Sequence, residues 1–422
     1  MGRSRPLLLM KNKKTSPLNS LAVLSLLLAW PAASFAQLKV EVLDTVKIHE
    51  SRHYGWFPSV QMLSTGELIC DFSLDGDVNT LESNFWGYTV STDQGKTWGM
   101  RHTAGALFRE GSYTRDPALP DGSLLVVAGL FVPKQGDDYQ TVQAASVRLS
   151  DGGQTALFKR DVFVHLPKAA QRLKLEETTL TNFESFGGSK IKEAAFMLFS
   201  GTIVAARDGG WLTTMYGKLE GDKFFRTLVV KSDKFGKNWD YLSTIAGDEA
   251  AEAALKDEGE PKCEGFGEPR MIRLGDGRLF AVMRRGSNNM IYKAWSDDDG
   301  KTWSKPTSIG FRGVEPALMM MKSGVLAFST GRPDPIAVRF SLDGGATWTS
   351  PTGLTKGFEL DDPKKPQGAQ KSTCYTGLVE VEPGKLLVVY DHLPFAGGWG
   401  LNPADKPEAM NTIYGTFVKV GR

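Results

Sequence analysis

The chain has 422 residues, of which 41% are hydrophobic and 23% are charged, and its formal net charge at pH 7 is +2. This balance disfavours binding to nucleic acid or to a membrane surface, since both favour a strong positive excess. Three cysteines are too few for a disulfide scaffold of this length, although one bridge could form, and five scattered histidines match no zinc-ligand spacing. We therefore predict no metal and no other cofactor.

Residues 1–36 have the pattern of a signal peptide. The apolar run at residues 21–30 follows three lysines and precedes a small-x-small sequence, and ten apolar residues are too few to span a bilayer. We expect cleavage before Gln37, which would remove five basic residues and no acidic one, and so change the formal charge from +2 to −3. The sequence thus predicts a secreted or periplasmic protein whose single domain comprises residues 37–422.

The first predicted strand, residues 38–49, alternates in polarity and has no hairpin partner nearby in the sequence. In a closed ring of sheets it would pair with the last strand, residues 412–420. We therefore expect the two ends of the mature chain to be tied together in one sheet.

A turn motif of the form S-x-D-x-G-x-T-W follows the strands at intervals. It begins at Ser91, is barely visible at Ser150, is degraded at Ser232, and is well formed at Ser296 and Ser341. Its Ser and Asp side chains can bond to their own backbone, and its glycine can adopt positive φ. The motif therefore predicts a structural turn between the third and fourth strands of a repeated unit.

A second repeated feature is a glycine turn between two β-like runs. Residues 267–303 show the complete unit, in which two strands joined by a Gly-Asp-Gly turn precede a loop, a third strand and the S-x-D-x-G-x-T-W motif. Six such hairpins predict an all-β fold, a six-bladed β-propeller of four-stranded antiparallel blades. The hairpins centre on Gly66, Gly122, Gly201, Gly277, Gly324 and Gly384. The Ala- and Glu-rich residues 246–259 predict a short helix between blades three and four.

Strand order also predicts where polar residues gather. In a four-stranded meander, the starts of first strands and the ends of second strands lie on one face, opposite the glycine turns and the Ser-Asp motifs. The set is rich in both acidic and basic residues, which is typical of a site for a charged sugar, although solvated surface charges would give the same pattern. Its members are Trp56, Arg115, Asp116, Glu193, Glu268, Glu315 and Tyr375 at strand starts, and Asp75, Asp77, Arg207, Asp208, Arg284, Arg332, Tyr390, Asp391 and His392 at strand ends.

The repeated turn resembles the Asp-box (BNR) repeat of the sialidase, or neuraminidase, superfamily, and the resemblance covers nearly the whole mature chain. In that family a Glu-Pro is followed across a hairpin by an arginine, as Glu268 is by Arg284 here, and Arg332 loosely matches a further arginine. The family's nucleophile is a tyrosine in the context Y-[ST]-x-L, which Tyr375 matches. The resemblance implies that Tyr375 is the nucleophile and Glu268 its base, and that Arg284 and Arg332 bind the substrate carboxylate.

The chemistry of a sialic acid explains these residue types. Its carboxylate lies on the anomeric carbon, so a neutral phenol with a nearby base can approach where an anionic nucleophile would be repelled. Sialidases with a tyrosine nucleophile are a known exception among glycosidases, which otherwise use two carboxylates. Arginines match a carboxylate with two parallel hydrogen bonds. A protonated aspartate in the first-blade loop would serve as the acid, and either Asp75 or Asp77 could be that residue, with Asp77 slightly preferred.

The chain departs from the family pattern at the first blade. Sialidases have an arginine in R-I-P there, whereas this chain has Trp56 in Trp-Phe-Pro. The carboxylate site would lack one arginine unless Arg52 or Arg115 replaces it, and we predict that Trp56 offers a stacking surface for a sugar. Arg284 and Arg285 are adjacent on one strand and must point in opposite directions, so one of them is expected to be structural.

Three functions remain open from the sequence. The first is an exo-acting, retaining glycoside hydrolase of the sialidase type, with a carboxylate-bearing glycan as partner and neither nucleic acid nor membrane. The second is a uronate lyase on the same fold, in which Tyr375 or His392 removes a proton next to a carboxylate. The third is a glycan-binding propeller without catalysis, which the missing arginine favours. The sequence does not predict an oligomeric state.

Overall fold

The structure is a computed structural model. It describes residues 38–52, 55–63, 66–74, 86–105, 112–114, 125–127, 130–131, 141–147, 160–168, 171–174, 193–258, 263–286, 288–354, 371–394 and 405–421. Residues 39–421 belong to one compact unit. The predicted signal peptide at residues 1–36 lies outside the described residues, so it stays a prediction.

The described chain is built of strands with a single helix among them. The bounds in chain order are β1 Lys39–Arg52, β2 Trp56–Met62, β3 Leu68–Ser73, β4 Trp86–Ser91, β5 His102–Gly105, β6 Ser112–Thr114, β7 Val126–Val127, β8 Leu130–Phe131, β9 Thr141–Val147, β10 Arg160–His165, β11 Arg172–Lys174, β12 Glu193–Ala205, β13 Trp211–Gly217, β14 Arg226–Ser232, β15 Asn238–Ala246, α1 Asp248–Glu258, β16 Gly267–Arg273, β17 Leu279–Arg284, β18 Met290–Ser296, β19 Thr307–Arg312, β20 Val314–Met320, β21 Leu326–Gly331, β22 Ala337–Ser341, β23 Thr352–Gly353, β24 Thr376–Glu382, β25 Lys385–His392 and β26 Met410–Gly421.

These strands form an all-β propeller, which confirms the predicted fold class. Four sheets have four strands each, in the orders β2-β3-β4-β5, β16-β17-β18-β19, β20-β21-β22-β23 and β1-β26-β25-β24. The strands predicted for blades two and three instead share one ten-stranded sheet, because β10 pairs with β15 and β6 pairs with β12. The described residues therefore form five sheets, where six separate blades were predicted.

The two ends of the described chain meet in one sheet. Strand β1 pairs with β26 in antiparallel register, from Lys39 opposite Gly421 to Arg52 opposite Met410. The predicted pairing of the first and last strands is confirmed. Because β26 also pairs with β25, the outermost strand of this sheet comes from the opposite end of the chain from the other three.

The Ser-Asp motifs form the predicted turns. The Ser296 hydroxyl donates to Asp298 Oδ1 (2.9 Å) and accepts from the Gly300 N–H (2.8 Å), while the Thr302 N–H donates to Asp298 Oδ1 (2.9 Å). Hydrogen bonds, chiefly that from the Thr302 hydroxyl, lower the pKa of Asp298 to about 2. The same bonds recur in the turns that begin at Ser91 and Ser341. The Ser and Asp side chains of each motif thus form their hydrogen bonds within the turn itself.

The hairpin of the third predicted blade lies later in the chain than the sequence indicated. The prediction placed its turn at Gly201, but β12 continues through that residue and the chain turns at residues 206–210. Gly201 has positive φ (+112°), and a Cβ there would lie 2.7 Å from the Thr214 hydroxyl and 2.9 Å from the Pro269 carbonyl oxygen. The glycine is therefore required by close packing within a strand and marks no turn.

This shift moves Arg207 to the other end of its blade. Its guanidinium donates to the carbonyl oxygens of Asp297 (3.0 Å) and Gly277 (2.9 Å), which belong to the Ser-Asp motif and the glycine turn of the next sheet. The expectation that Arg207 and Asp208 lie among the gathered site residues is therefore wrong.

The predicted helix is confirmed as α1. Two of its four alanines, Ala251 and Ala254, are buried, and its Asp248 carboxylate accepts from the N–H groups of Lys223 and Phe224, both at 3.0 Å. Among the described residues, no helix is long and apolar enough to cross a membrane. All three cysteines are free, and Cys70 is fully buried in the core, as expected for a small apolar residue.

Candidate active site

Tyr375 and Glu268 lie in direct contact, although 107 residues separate them in the sequence. The Tyr375 hydroxyl donates a hydrogen bond to Glu268 Oε1. Glu268 is at the start of β16 and Tyr375 immediately precedes β24, so both occupy the start of the first strand of their sheets. The predicted proximity of the phenol and the carboxyl group is confirmed, whereas their catalytic roles stay predictions.

Arg284 completes a three-residue cluster with this pair. Its Nη1 donates to Glu268 Oε1 and lies 3.4 Å from the Tyr375 hydroxyl oxygen, and only 12% of its side chain is exposed. Burial acts to lower the pKa of Arg284, but the attraction of Glu268, Tyr375 and Glu264 outweighs it and raises the pKa above its ordinary value. The cluster thus places a permanent positive charge beside both the carboxylate and the phenol.

A repeated backbone irregularity positions Glu268. Glu268 has positive φ (43°), and a register shift lies between Gly267 and Arg270 where β16 pairs with β17. Positive φ is uncommon for a residue other than glycine and often marks a functional site. Two other first strands share the feature, again immediately before a proline and with a register shift, at Phe57 (53°) and Glu315 (32°).

Glu315 supports Glu268 through its backbone. The Glu315 N–H donates to Glu268 Oε2 (2.8 Å), so both oxygens of the Glu268 carboxylate accept hydrogen bonds. The Glu315 carboxylate itself forms an ion pair with Arg270, whose Nη1 also donates to the Ser200 hydroxyl (2.8 Å). Its negative charge is therefore compensated, and Glu268 is fixed by contacts from two sheets.

A buried carboxylate, Asp391, holds the segment that precedes Tyr375. It is 0% exposed and accepts from the Ser372 hydroxyl (2.7 Å), the Thr373 N–H (2.8 Å), the Thr373 hydroxyl and the Phe57 N–H (3.0 Å). Burial raises the pKa of Asp391, and these hydrogen bonds oppose the increase. Asp391 therefore links β2 to the segment that immediately precedes Tyr375.

Arg332 also acts on this segment. Its side chain was predicted to bind a substrate carboxylate, but the residue is 7% exposed and its Nη2 donates to the Thr373 carbonyl oxygen (2.6 Å). This contact lies two residues before Tyr375. Arg332 thus positions the Tyr375 segment, and its predicted binding of a substrate carboxylate stays a prediction.

The stacking surface predicted at Trp56 is wrong, because Trp56 is 1% exposed. The adjacent Phe57 is partly exposed, and its ring centroid lies 4.8 Å from that of Tyr375 at an angle of 58°. The positive φ of Phe57 and the register shift after Trp56 interrupt the regular alternation of side chains. Phe57 therefore presents a partly exposed aromatic ring beside Tyr375, one residue after the position where the sequence predicted one.

Four predicted site residues lie outside the described part of the chain. These are Asp75 and Asp77, the two candidates for the acid, Arg115, one of the two candidate replacements for the missing arginine, and its neighbour Asp116. Their roles stay predictions.

A pocket that is partly open to solvent adjoins the cluster, and Glu268 and Arg284 are among its lining residues. Three of its lining residues were missed by the sequence analysis, namely Tyr216, Phe225 and Glu264. Tyr216 lies near the end of β13, the second strand of its blade, where the topological rule places site residues. The prediction omitted Tyr216 because it placed the turn of this hairpin at Gly201 and so assigned the end of the second strand to other residues.

Arg285 is the structural member of the adjacent arginine pair. It is 0% exposed, and its guanidinium carbon lies 4.9 Å from the centroid of the Tyr292 ring. The expectation that one of the two arginines is structural is confirmed, and Arg284 is the one that contacts Glu268.

Comparisons with known proteins agree with the propeller fold. A family model described as a BNR repeat-like domain matches residues 188–388. A structure of a protein of unknown function from Dyadobacter fermentans has a TM-score of 0.60 at 17% identity, covering 90% of this chain and 99% of that one. Two glycoside hydrolases are also similar, and no curated protein gives a significant match.

The first of these hydrolases is a Hadza microbial sialidase, with a TM-score of 0.54 at 15% identity, covering 88% of this chain and 66% of that one. The second is an alpha-L-arabinofuranosidase from Fusarium graminearum, with a TM-score of 0.55 at 14% identity, covering 90% and 98% of the two chains. At these identities the structural likeness establishes the fold alone. The repeat family model adds a BNR-like repeat over residues 188–388, which is slightly less than half of the chain.

Proposed function

We propose that the protein is an exported, retaining exo-glycoside hydrolase that acts on terminal sialic or related acidic sugars. The observation that carries the proposal is the hydrogen bond from the Tyr375 hydroxyl to the Glu268 carboxylate, with Arg284 against both groups. A phenol that donates to a buried carboxylate beside a fixed cation is suited to lose its proton and attack an electrophilic carbon.

In the first step, the Tyr375 oxygen would bond to the anomeric carbon while its proton passes to Glu268 Oε1. The bond from that carbon to the leaving sugar breaks, and an acid protonates the leaving oxygen, for which Asp75 and Asp77 are the candidates. In the second step, water attacks the same carbon and gives its proton to the deprotonated acid, while Glu268 returns its proton to Tyr375. Two displacements retain the anomeric configuration.

Arg284 would act in both steps. Its positive charge, adjacent to the phenol, favours the phenolate form that develops during attack and that leaves in the second step. Its guanidinium also borders the pocket, where it is the candidate group for binding a substrate carboxylate.

A second candidate substrate is a neutral sugar, such as the arabinofuranosides of the enzyme from Fusarium graminearum. One buried residue and two contacts favour it. Trp56 is buried at the position of the family's first arginine, Arg332 bonds to the Thr373 carbonyl oxygen, and Arg284 is already paired with Glu268. A carboxylate on the substrate would therefore meet fewer available guanidinium groups than the family pattern supplies.

The experiment compares wild type with Tyr375→Phe on fluorogenic sialosides and arabinofuranosides. We expect the wild type to turn over one of the two classes and Tyr375→Phe to lose that activity, while Glu268→Gln should slow it by about 10²–10⁴-fold. Tyr241→Phe is a matched control, since it also removes a hydrogen-bonded hydroxyl, here one that contacts Thr244. Equal turnover by wild type and Tyr375→Phe would remove the proposed mechanism.

Two further measurements bear on the proposal. Proton NMR of the first-formed product should show the anomeric configuration of the substrate, whereas an unsaturated, ultraviolet-absorbing uronate would indicate a lyase. Mass spectrometry of exported protein should find Gln37 at the N-terminus. Finding residues 1–36 intact would contradict export by cleavage of a signal peptide.

A further inference from the structure

A second carboxylate faces Arg284 from the rim of the pocket. Glu264 Oε2 lies 3.5 Å from Arg284 Nη2, on the guanidinium nitrogen that does not bind Glu268. The side chain of Glu264 is 51% exposed, whereas that of Arg284 is 12% exposed. Arg284 thus lies between a buried carboxylate and one that is open to solvent.

The backbone of Glu264 is fixed between two sheets. Its N–H donates to the Arg285 carbonyl oxygen (3.0 Å), and its carbonyl oxygen accepts from the Phe225 N–H (2.8 Å). The next residue, Gly265, has positive φ (+109°), and a Cβ there would lie 2.2 Å from the Phe225 nitrogen. The fold therefore holds the Cα of Glu264 at the pocket while its side chain keeps access to water.

The two carboxylates differ in how firmly they are held. Glu268 accepts from Tyr375, Arg284 and the Glu315 N–H, and its side chain is 7% exposed, so its removal from Arg284 would leave buried donors unsatisfied. Glu264 makes a longer contact and is half-exposed, and ion pairs of that kind contribute little to stability. Glu264 is therefore the carboxylate that a ligand can displace.

We propose that Glu264 is an internal counter-ion that occupies the exposed edge of Arg284 and that a substrate carboxylate must displace. It is thereby a specificity-determining residue, because it opposes carboxylate-bearing ligands and leaves uncharged ones unaffected. The inference rests on the proposed function only in taking the pocket beside Tyr375 as the sugar site. It makes no use of the chemical step.

The test uses two probes that differ in charge and by one methyl group, N-acetylneuraminic acid and its methyl ester. Binding of each is measured by calorimetry at neutral pH to wild type, Glu264→Gln and Glu252→Gln. Glu252 is an exposed carboxylate on α1 that pairs with Lys223 (2.9 Å), so its substitution makes the same change in net charge away from the pocket. All three proteins are full-length and carry an intact Tyr375.

We expect Glu264→Gln to bind the acid about fivefold more tightly than wild type does, and to bind the ester equally. Glu252→Gln should match wild type for both probes. If Glu264→Gln also bound the ester more tightly by the same factor, the proposal would be overturned. Unchanged or weaker binding of the acid would overturn it as well. Failure of wild type and Glu264→Gln alike to bind the acid would also overturn it, because removal of the counter-ion would then expose no anion site.

These outcomes separate the counter-ion from the proposed hydrolysis. Tighter binding of the acid by Glu264→Gln, combined with no turnover of any glycoside by wild type, would support the counter-ion and contradict the hydrolase. Turnover that depends on Tyr375, combined with unchanged binding of the acid by Glu264→Gln, would support the hydrolase and contradict the counter-ion.

Discussion

The substitution Asp391→Asn tests the support beneath Tyr375 most directly. Asp391 is 0% exposed, and its two oxygens accept four hydrogen bonds, from Ser372, from the N–H and hydroxyl of Thr373, and from the Phe57 N–H. Asparagine keeps one accepting oxygen and replaces the other with an N–H₂ group that cannot accept. The Thr373 hydroxyl can rotate to accept instead of donating, but the Phe57 N–H cannot.

The cost follows from these contacts. A buried donor left unsatisfied costs about 1–3 kcal/mol, and each lost bond to a charged acceptor contributes about 1.5–3 kcal/mol. Relief from burying a carboxylate offsets part of this loss. We therefore expect Asp391→Asn to lower the free energy of unfolding by about 3 kcal/mol.

Urea denaturation followed by tryptophan fluorescence measures this loss as a lower midpoint at an unchanged m-value. Asp276→Asn is the matched control, since Asp276 lies in an exposed turn where it pairs with Arg278 (2.8 Å); its effect should stay below about 1 kcal/mol. At temperatures where both variants are folded, Asp391→Asn should reduce kcat more than it changes KM, because the Tyr375 segment loses its anchor. A midpoint equal to that of the control would refute the role assigned to Asp391.

The pH dependence of the same variant has a definite sign. Burial raises the pKa of Asp391 in the folded protein above that of the unfolded chain. The native state therefore binds this proton first as the pH falls, so the wild type should gain stability relative to Asp391→Asn on acidification. A difference between the two proteins that stays constant from neutral to acidic pH would contradict this sign.

Three further predictions concern the scaffold. Gly265→Ala should destabilise the fold by about 2–4 kcal/mol, because its Cβ would lie 2.2 Å from the Phe225 nitrogen at a φ of +109°. Ser296→Ala should cost about 1–3 kcal/mol, because the buried Gly300 N–H loses its acceptor. Burial, with a smaller contribution from Arg101, lowers the pKa of His49 to about 4. Since the unfolded chain binds that proton at a pH of about 6.5, wild type should lose stability between these two values as the pH falls, and His49→Phe should lose less.

Each of these predictions has its own check. Gly353→Ala is the control for Gly265→Ala, since a Cβ at Gly353 meets nothing within 4 Å, and equal midpoints for the two would contradict the packing argument. Ser304→Ala removes a serine hydroxyl that accepts from the exposed Trp295 N–H, and it should cost less than Ser296→Ala. For His49, the melting temperatures of wild type and His49→Phe should differ more near pH 4.5 than at neutral pH. Equal changes in the two proteins would contradict the lowered pKa of His49.

The repeat period and the strand order predicted much of the fold. The repeated turns predicted four-stranded sheets, and the unpaired strand at residues 38–49 predicted the contact between the ends of the chain. The proximity of Tyr375 and Glu268 follows from the same reasoning, because both precede or begin a first strand and all such starts lie on one face. These features depend on alternation and order, which a single sequence displays.

The errors arose where backbone geometry departs from regular alternation. Gly201 was interpreted as a turn because glycine allows positive φ, but close packing against Thr214 requires the same residue type. A sequence does not distinguish these two uses of glycine. The consequence was functional as well as structural, since the shifted hairpin excluded Tyr216 from the predicted site and included Arg207.

The same limit explains why side chains at the strand starts were harder to place. Phe57, Glu268 and Glu315 have equivalent positions, each with positive φ before a proline and each beside a register shift. Their chemistry differs because of what the neighbouring strand supplies. Glu268 meets Arg284 and the phenol of Tyr375, whereas Glu315 meets Arg270 and is neutralised.

The same backbone irregularity therefore positions an aromatic ring (Phe57), a candidate base (Glu268) and a supporting carboxylate (Glu315) at corresponding points of three sheets. This repetition separates positioning from chemistry, because the bulge fixes where each side chain lies and the residue type decides what it does there. A substitution that keeps the bulge, such as Glu315→Gln, should preserve the N–H that holds Glu268 while freeing Arg270 from its ion pair. Such a variant should bind anions more strongly, because Arg270 is no longer paired, and it should leave the contact between Tyr375 and Glu268 intact. A loss of turnover would indicate that this contact is lost. The carboxylate of Glu315 would then position Glu268 as well as its backbone does.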